Sequence, residues 1–403
     1  MAHASNTEPA ARFTAIRCGW LFDGTGTAPV RDACVLFSGE RIVDAGPVQS
    51  VDVPSGSKVV DLPAHTVLPG LIDVHSHVSI HTLGRPAAQT ARPEGDIVLD
   101  AMAWLRSDLE AGVTTMRTLG DSAFLDIRFR EAQKAGKIAA PRLKVAGNLV
   151  QSSHVDVSVS RSTCDGPDAI RAAIRASVRR GCDWVKFYST PDSRAADPVL
   201  SIFSRAEVDV VFDEARRAGK PVSVHCHGGV AADWCIEHGV ESLEHGFFLE
   251  RRQMREMAER GLTLVPTCGV VLLQADHPSP ENVQERVKDY LRMAREEGVL
   301  CIPGTDAVHG RLDFEVERMV ACGWSIAEAL SSVTEKAARL LGMADETGTV
   351  FRGKLADLVA VKGDLGSDIA LLSDVEVVIQ SGRTVHDRLA GGRWADRQSA
   401  TAS

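Results

Sequence analysis

The chain has 403 residues, 44% of them hydrophobic and 25% charged, an ordinary composition for one large domain with a smaller companion. A formal net charge of −9 with no basic cluster argues against nucleic acid as a partner. No apolar run reaches the roughly 18 residues of a transmembrane helix, and polar Met1 to Ala10 reads as a flexible tail without the apolar core of a secretory signal.

The segment 11–69 reads as short strands broken by Gly and Asp, in FTAIRCGWLFDG, ACVLFSGERIVDAG and SKVVDLPAHTVLPG. The stretch 347–403 has the same texture, in LADLVAVKGD and VEVVIQSGRTVHD. Two β-rich flanks around a different middle predict one small β domain, a sandwich built from both chain ends. The middle, 70–346, alternates strand and helix. Strands are expected at LIDVH, TTMRTLG, RLKVAG, WVKFY, PVSVHC, SLEHG, TLVPT and LCIPGTD. Helical patterns such as DIVLDAMAWLRSDLEAG and RAEVDVVFDEARRAG carry apolar residues at i, i+3, i+4 and i+7 and close on Gly. Eight strand–helix units predict an α/β fold of the TIM-like (β/α)8 barrel type; an open doubly wound sheet is the alternative that pattern alone leaves. No G-x-G-x-x-G follows the first of these strands, which counts against a dinucleotide site.

Nine scattered cysteines without a C-x-x-C pair fit neither a disulfide framework nor a zinc knuckle, so the cytoplasm is the expected compartment. Cys226 reads as a buried thiol, since no acyl-transfer arrangement surrounds it.

The chemistry lies in the polar residues at the strand ends. The first barrel strand ends in His75-Ser76-His77, the fifth in His225-Cys226-His227, the sixth in Glu244-His245-Gly246 and the eighth in Gly304-Thr305-Asp306, while the fourth carries Lys186 in an apolar and aromatic run. In a (β/α)8 barrel these ends converge at one mouth. His75 and His77, two residues apart on a strand, point to one side and can share an ion. Imidazoles with a carboxylate suit a borderline metal such as zinc. A buried ammonium would repel such ions, but a lysine of lowered pKa can add carbon dioxide and become an anionic carbamate. The bland reading of Lys186 is an edge-strand lysine, against which Trp184, Val185, Phe187 and Tyr188 argue. Asp306 could instead be a helix N-cap, and Asp121 the cap of the helix that follows it. His227 could touch substrate or only bond the next helix. For His65, His238, His277 and His386 a structural role is expected.

LPGLIDVHSH at 68–77, WVKFY at 184–188, VHCHG at 224–228, SLEHG at 242–246, PGTDA at 303–307 and the closing GKLADLVAV at 353–361 together resemble the amidohydrolase superfamily. More narrowly they are similar to its imidazolonepropionase and prolidase-like (Xaa-Pro and Xaa-Arg dipeptidase) branch. The resemblance implies two divalent metal ions, preferably Zn2+. His75, His77 and Asp306 would hold one, His225 and His245 the other, with Lys186 bridging as N6-carboxylysine. It further implies a metal-bridging hydroxide as nucleophile, Asp306 as the proton carrier, and His154 after the third strand as a contact for the substrate carbonyl or carboxylate. Those relatives usually show glycines before that histidine and a longer insertion after it, which VQSSHVD lacks. Tyr188, His227, His309 and Arg311 are further candidate substrate contacts.

The implied activity is hydrolysis of an amide in a small molecule, either a dipeptide or an N-acyl amino acid. Hydrolysis of a cyclic amide is the alternative, although imidazolonepropionases usually keep one metal and lack the lysine. An inactive scaffold is a third reading, and it would have lost metal ligands that this sequence keeps. Specificity is expected in the segments 78–95, 148–165, 189–203, 268–280 and 307–313, where Arg85 and Arg92 could meet a substrate carboxylate. Homo-oligomers occur among such relatives.

Overall fold

The architecture is taken from a computed structural model, which describes residues 13–83, 92–155, 163–191, 199–273 and 280–389. The N-terminal tail, Arg85, His277 and parts of four of the expected specificity segments lie outside the described residues. Among the described residues no helix is long and apolar enough to cross a membrane.

Strands from both ends of the chain do join. β1 (Thr14–Leu21), β2 (Val30–Ser38), β3 (Arg41–Pro47) and β4 (Lys58–Pro69) form one seven-stranded sheet with β13 (Leu358–Lys362), β14 (Val375–Gln380) and β15 (Arg383–Asp387). The join is β4, which runs parallel to β1 and pairs antiparallel with β13 from Pro69↔Leu358 to His65↔Lys362. Ile16, Val35, Val60, Leu358 and Val377 fill one apolar cluster on this sheet.

The middle of the chain gives eight parallel strands in sequence order. A three-stranded sheet holds β5 (Leu71–Ser76), β6 (Val113–Thr118) and β7 (Arg142–Val145). A five-stranded sheet holds β8 (Val185–Tyr188), β9 (Val222–Gly228), β10 (Ser242–Phe248), β11 (Thr263–Val265) and β12 (Leu300–Cys301). Every residue of β5, β6 and β9 is buried, as expected of parallel strands covered on both faces. Beyond the strand ends, Val150 forms a single bridge to Phe187 of β8, and the Asp306 N–H donates to the His75 carbonyl at 2.7 Å.

The eighth strand is shorter than LCIPGTD suggests. Pro303 has no N–H to give a ladder. At Gly304 any Cβ would lie 2.5 Å from the Cβ of His75, so only glycine lets the last strand press against the first. The irregular stretch that results carries Asp306 to the first strand.

Candidate metal centre

The end of β5 turns two imidazoles inward, and both are buried. Nδ1 of His77 lies 2.6 Å from the Gly120 carbonyl, which can only accept, so Nδ1 carries a proton and Nε2 is the nitrogen turned toward the cluster. Nδ1 of His75 donates to Glu244 Oε2 at 2.7 Å. Burial pushes the Glu244 carboxyl up, but Arg117 and His75 outweigh it and hold it well below the usual carboxylate range. The two Nε2 atoms then face one atom, Asp306 Oδ1, at 3.3 Å from His75 and 3.2 Å from His77.

Three ring nitrogens and a carboxylate meet here. His75, His245 and Asp306 each offer a ligand atom within 4.8 Å of the others. His245 shares a 2.7 Å hydrogen bond between its Nδ1 and Thr267 Oγ1, which fixes the ring. The His225 ring lies 4.5 Å from that of His245 and 4.8 Å from that of His227. Both nitrogens of His225 are buried without a hydrogen-bond partner among the described residues. A buried imidazole in that state is costly, and a cation coordinated to it removes the cost. The donor set of imidazole nitrogens and carboxylate oxygen therefore fits a divalent transition ion.

Burial also sets the protonation states. It pushes the His225 and His245 rings well below their ordinary values, helped by neighbouring imidazoles, so they remain neutral and able to ligate. Burial pushes Asp306 up, but His75 and His77 outweigh it and hold the carboxyl well below its ordinary value. Asp306 alone of this group keeps 15% of its side chain open, which leaves it within reach of a substrate. The Lys186 amine, fully buried on β8, is brought down by burial to about 8 against the pull of Glu244 and Asp306. Its Nζ lies 5.8 Å from the centroid of the Tyr188 ring, and that ring stacks at 4.0 Å on His225.

Backbone geometry marks the same residues. His245 (φ 70°), its partner Thr267 (46°) and Asp306 (49°) all occupy the left-handed region. Such conformations in residues other than glycine persist only where surrounding contacts impose them, and they gather at functional sites.

The other sequence-predicted contacts lie outside the cluster. His154 is exposed and bonds Ser152 Oγ through Nδ1 at 3.0 Å. His309 is buried with both nitrogens engaged, Nδ1 with Asp108 Oδ2 at 2.7 Å and Nε2 with the Ile80 carbonyl at 3.0 Å. Arg311 pairs with Asp313 at 3.1 Å, and Arg92 with Asp100. His65 and His238 bond Glu376 and Asp209, the structural role expected of them. Cys226 is buried and its thiol is pushed up to about 11 by burial, so it offers no thiolate.

Sequence reading missed the layer behind the histidine cluster. Glu244 also receives Arg117 at 3.1 Å and the Ser223 hydroxyl at 2.7 Å, and Arg117 lies over the Trp184 ring at 4.4 Å. Asp73 accepts the Thr305 hydroxyl at 2.6 Å and the His75 N–H at 3.0 Å. Asp121 caps no helix through its side chain; it accepts the N–H groups of Val78 and Ser79 and so fixes the chain beyond His77. A signal was present, because Asp73, Arg117 and Glu244 are charges inside apolar strands, where a charge must find a partner.

The family model for amidohydrolases matches residues 66–385. The chain belongs to the amidohydrolase family. It is 26% identical over 424 residues to ochratoxinase of Aspergillus niger, covering 91% of this chain and 85% of that protein. With an imidazolonepropionase of Mesorhizobium japonicum it shares 26% identity over 378 residues, covering 83% and 85% of the two chains. Among solved structures, a Xaa-Pro dipeptidase with methionine bound in its active site is similar at TM-score 0.80 and 31% identity, covering 93% of this chain and all of that one. The prolidase-like branch suggested by the motifs is thus represented among its structural neighbours.

Proposed function

We propose that this amidohydrolase is a binuclear metalloenzyme that cleaves the amide bond of a small substrate, a dipeptide or an N-acyl amino acid. The observation that carries the reading is the single oxygen, Asp306 Oδ1, faced by the Nε2 atoms of His75 and His77 beside His225, whose two nitrogens have no hydrogen-bond partner among the described residues. His75, His77 and Asp306 would hold one ion, His225 and His245 a second, and Lys186 as a carbamate would bridge them. The buried amine, brought down to about 8, has a neutral fraction near neutral pH that can add carbon dioxide. When bound, zinc ions supply Lewis acidity and lower the pKa of water to about 7.

The chain's own groups do the rest. Asp306, ionised and partly open, takes the proton of the attacking water and delivers it to the leaving amine nitrogen. His227 and Tyr188, packed against His225, would line the substrate's path, with His154 at its exposed edge. His309 and Arg311 are better read as structural, since their polar atoms bond Asp108, Ile80 and Asp313. We further take the eight parallel strands as a closed (β/α)8 barrel and the terminal strands as a small β-sandwich domain. Nine buried, unpaired cysteines support a reducing compartment, the cytoplasm.

Similarity to imidazolonepropionase favours a second reading, hydrolysis of a cyclic amide at the same centre. The deciding experiment is metal analysis of wild type and Lys186→Ala purified in bicarbonate buffer, with assays on dipeptides, N-acyl amino acids and cyclic amides. About two ions per chain in the wild type, falling together with linear amide hydrolysis in the variant, are expected. One ion in both proteins, with turnover of cyclic amides only, would replace the first reading by the second.

A further inference from the structure

Beyond the cluster of imidazoles, two adjacent phenylalanines break the pattern of burial. Phe247 and Phe248, at the end of β10, are only half-buried, although the strand before them is sealed. They face an apolar recess whose other walls are Val271, Val283, Val287 and Tyr290. A recess lined by aromatic rings and valines suits an apolar side chain. The Tyr290 hydroxyl is spent on the His245 carbonyl, so the wall it forms offers no free polar group.

The recess adjoins the proposed reaction centre. The Phe247 ring stacks 5.8 Å from that of His227 and lies 6.2 Å from that of His245, and Phe248 meets His227 edge-on at 6.2 Å. Arg286 also lines the recess: its guanidinium lies 5.0 Å over the Phe248 ring and makes no ion pair with the described residues. An apolar pocket with a guanidinium in its lining, one ring's width from the metal-type ligands, matches an amino acid that carries a large apolar side chain and a free carboxylate.

We infer that the recess between β10 and the helix Pro280–Glu296 is the side-chain subsite of this hydrolase, selecting amides of aromatic or branched apolar amino acids, with Arg286 taking the carboxylate. This rests on the amide-hydrolase reading above and names its substrate class. Small or polar side chains leave the recess unfilled or strand a polar group against Phe247 and Val287, and they are discriminated against.

The test compares N-acetyl-L-phenylalanine, N-acetylglycine and N-acetyl-L-phenylalaninamide on the metal-loaded protein, by turnover and by calorimetric titration. The phenylalanine substrate is expected to exceed the glycine one in kcat/KM by about tenfold or more, the scale on which apolar pockets discriminate. Val283→Phe, which fills the recess, is expected to lower kcat/KM for the phenylalanine substrate and bring the two toward parity. Arg286→Gln is expected to weaken binding of the acid and leave that of the amide unchanged; it lies on the surface, so it tests the assignment even if the filled variant fails to fold. Hydrolysis with equal rates on glycine and phenylalanine substrates would overturn the subsite and leave the reaction standing. Preferential binding of the phenylalanine compound without any hydrolysis would support the subsite and overturn the reaction.

Discussion

Nδ1 of His75 donates a 2.7 Å hydrogen bond to Glu244, and neither side chain reaches solvent. The carboxylate keeps the proton on Nδ1 and so turns Nε2 of His75 toward Asp306. Arg117, also fully buried, keeps Glu244 charged. Proton position, ring angle and charge are thus set one layer behind the histidine cluster.

Glu244→Gln is expected to weaken metal binding by about 10- to 100-fold, the usual effect of losing a partner behind a ligating histidine. It also leaves the Arg117 charge buried and unpaired, at a cost of roughly 3–5 kcal/mol. Chelator competition and chemical denaturation measure the two effects separately. Unchanged metal affinity alongside lost stability would reduce Glu244 to a purely structural partner of Arg117.

Metal removal should be visible in stability. An ion that binds only the folded chain adds about 2.7 kcal/mol at a hundredfold excess over its dissociation constant. Thermal scans with and without chelator are expected to show a lower Tm for the stripped protein, restored by zinc. A Tm indifferent to zinc would contradict binding at His225 and His245.

Glu315 gives the expected pH dependence. It accepts the N–H groups of Cys268 and Gly269, yet burial outweighs those bonds and pushes its carboxyl up to about 8. The unfolded chain releases this proton near pH 4.3, so between about 4.3 and 8 the folded state holds more protons and stability falls as pH rises, by at most about 1.4 kcal/mol per unit. Above pH 8 the contribution levels off. Denaturation of wild type and Glu315→Gln from pH 5 to 9 should show a shallower slope in the variant; parallel curves would contradict it.

His309 ties the loop after the eighth strand to the helix Glu94–Glu110. It bonds Asp108 and the Ile80 carbonyl, and Trp104 stacks on its ring at 5.3 Å. His309→Ala should therefore cost roughly 3 kcal/mol of stability, as expected when one partner of a buried pair is removed. Bound metal and substrate binding at low temperature should be retained. A KM rise without loss of stability would return His309 to the substrate contacts.

The parts of the fold with a repeating signal were legible in the sequence. Strand–helix alternation and two β-rich ends announced eight parallel strands and a sheet assembled from both termini. Polar residues closing apolar strands pointed to the strand ends where the structure gathers His75, His245 and Asp306. Partnerships across the sheet were not legible. Nothing local says that Glu244 holds His75, or that Asp73 receives Thr305 from 232 residues away. His309 read as a loop residue near the mouth because its partner Asp108 lies 201 residues earlier, on another face of the sequence pattern.

That last strand also sets an order of events during synthesis. Asp306 reaches His75 only through the stretch beyond Cys301, where the Gly304 backbone lies against the first strand. A growing chain still on the ribosome can display His75, His77, His225 and His245 while lacking the carboxylate that joins them. Until the final quarter of the polypeptide has emerged, the carboxylate that faces both His75 and His77 is missing from the set. Under the binuclear reading, loading of the centre would thereby be deferred to the completed chain.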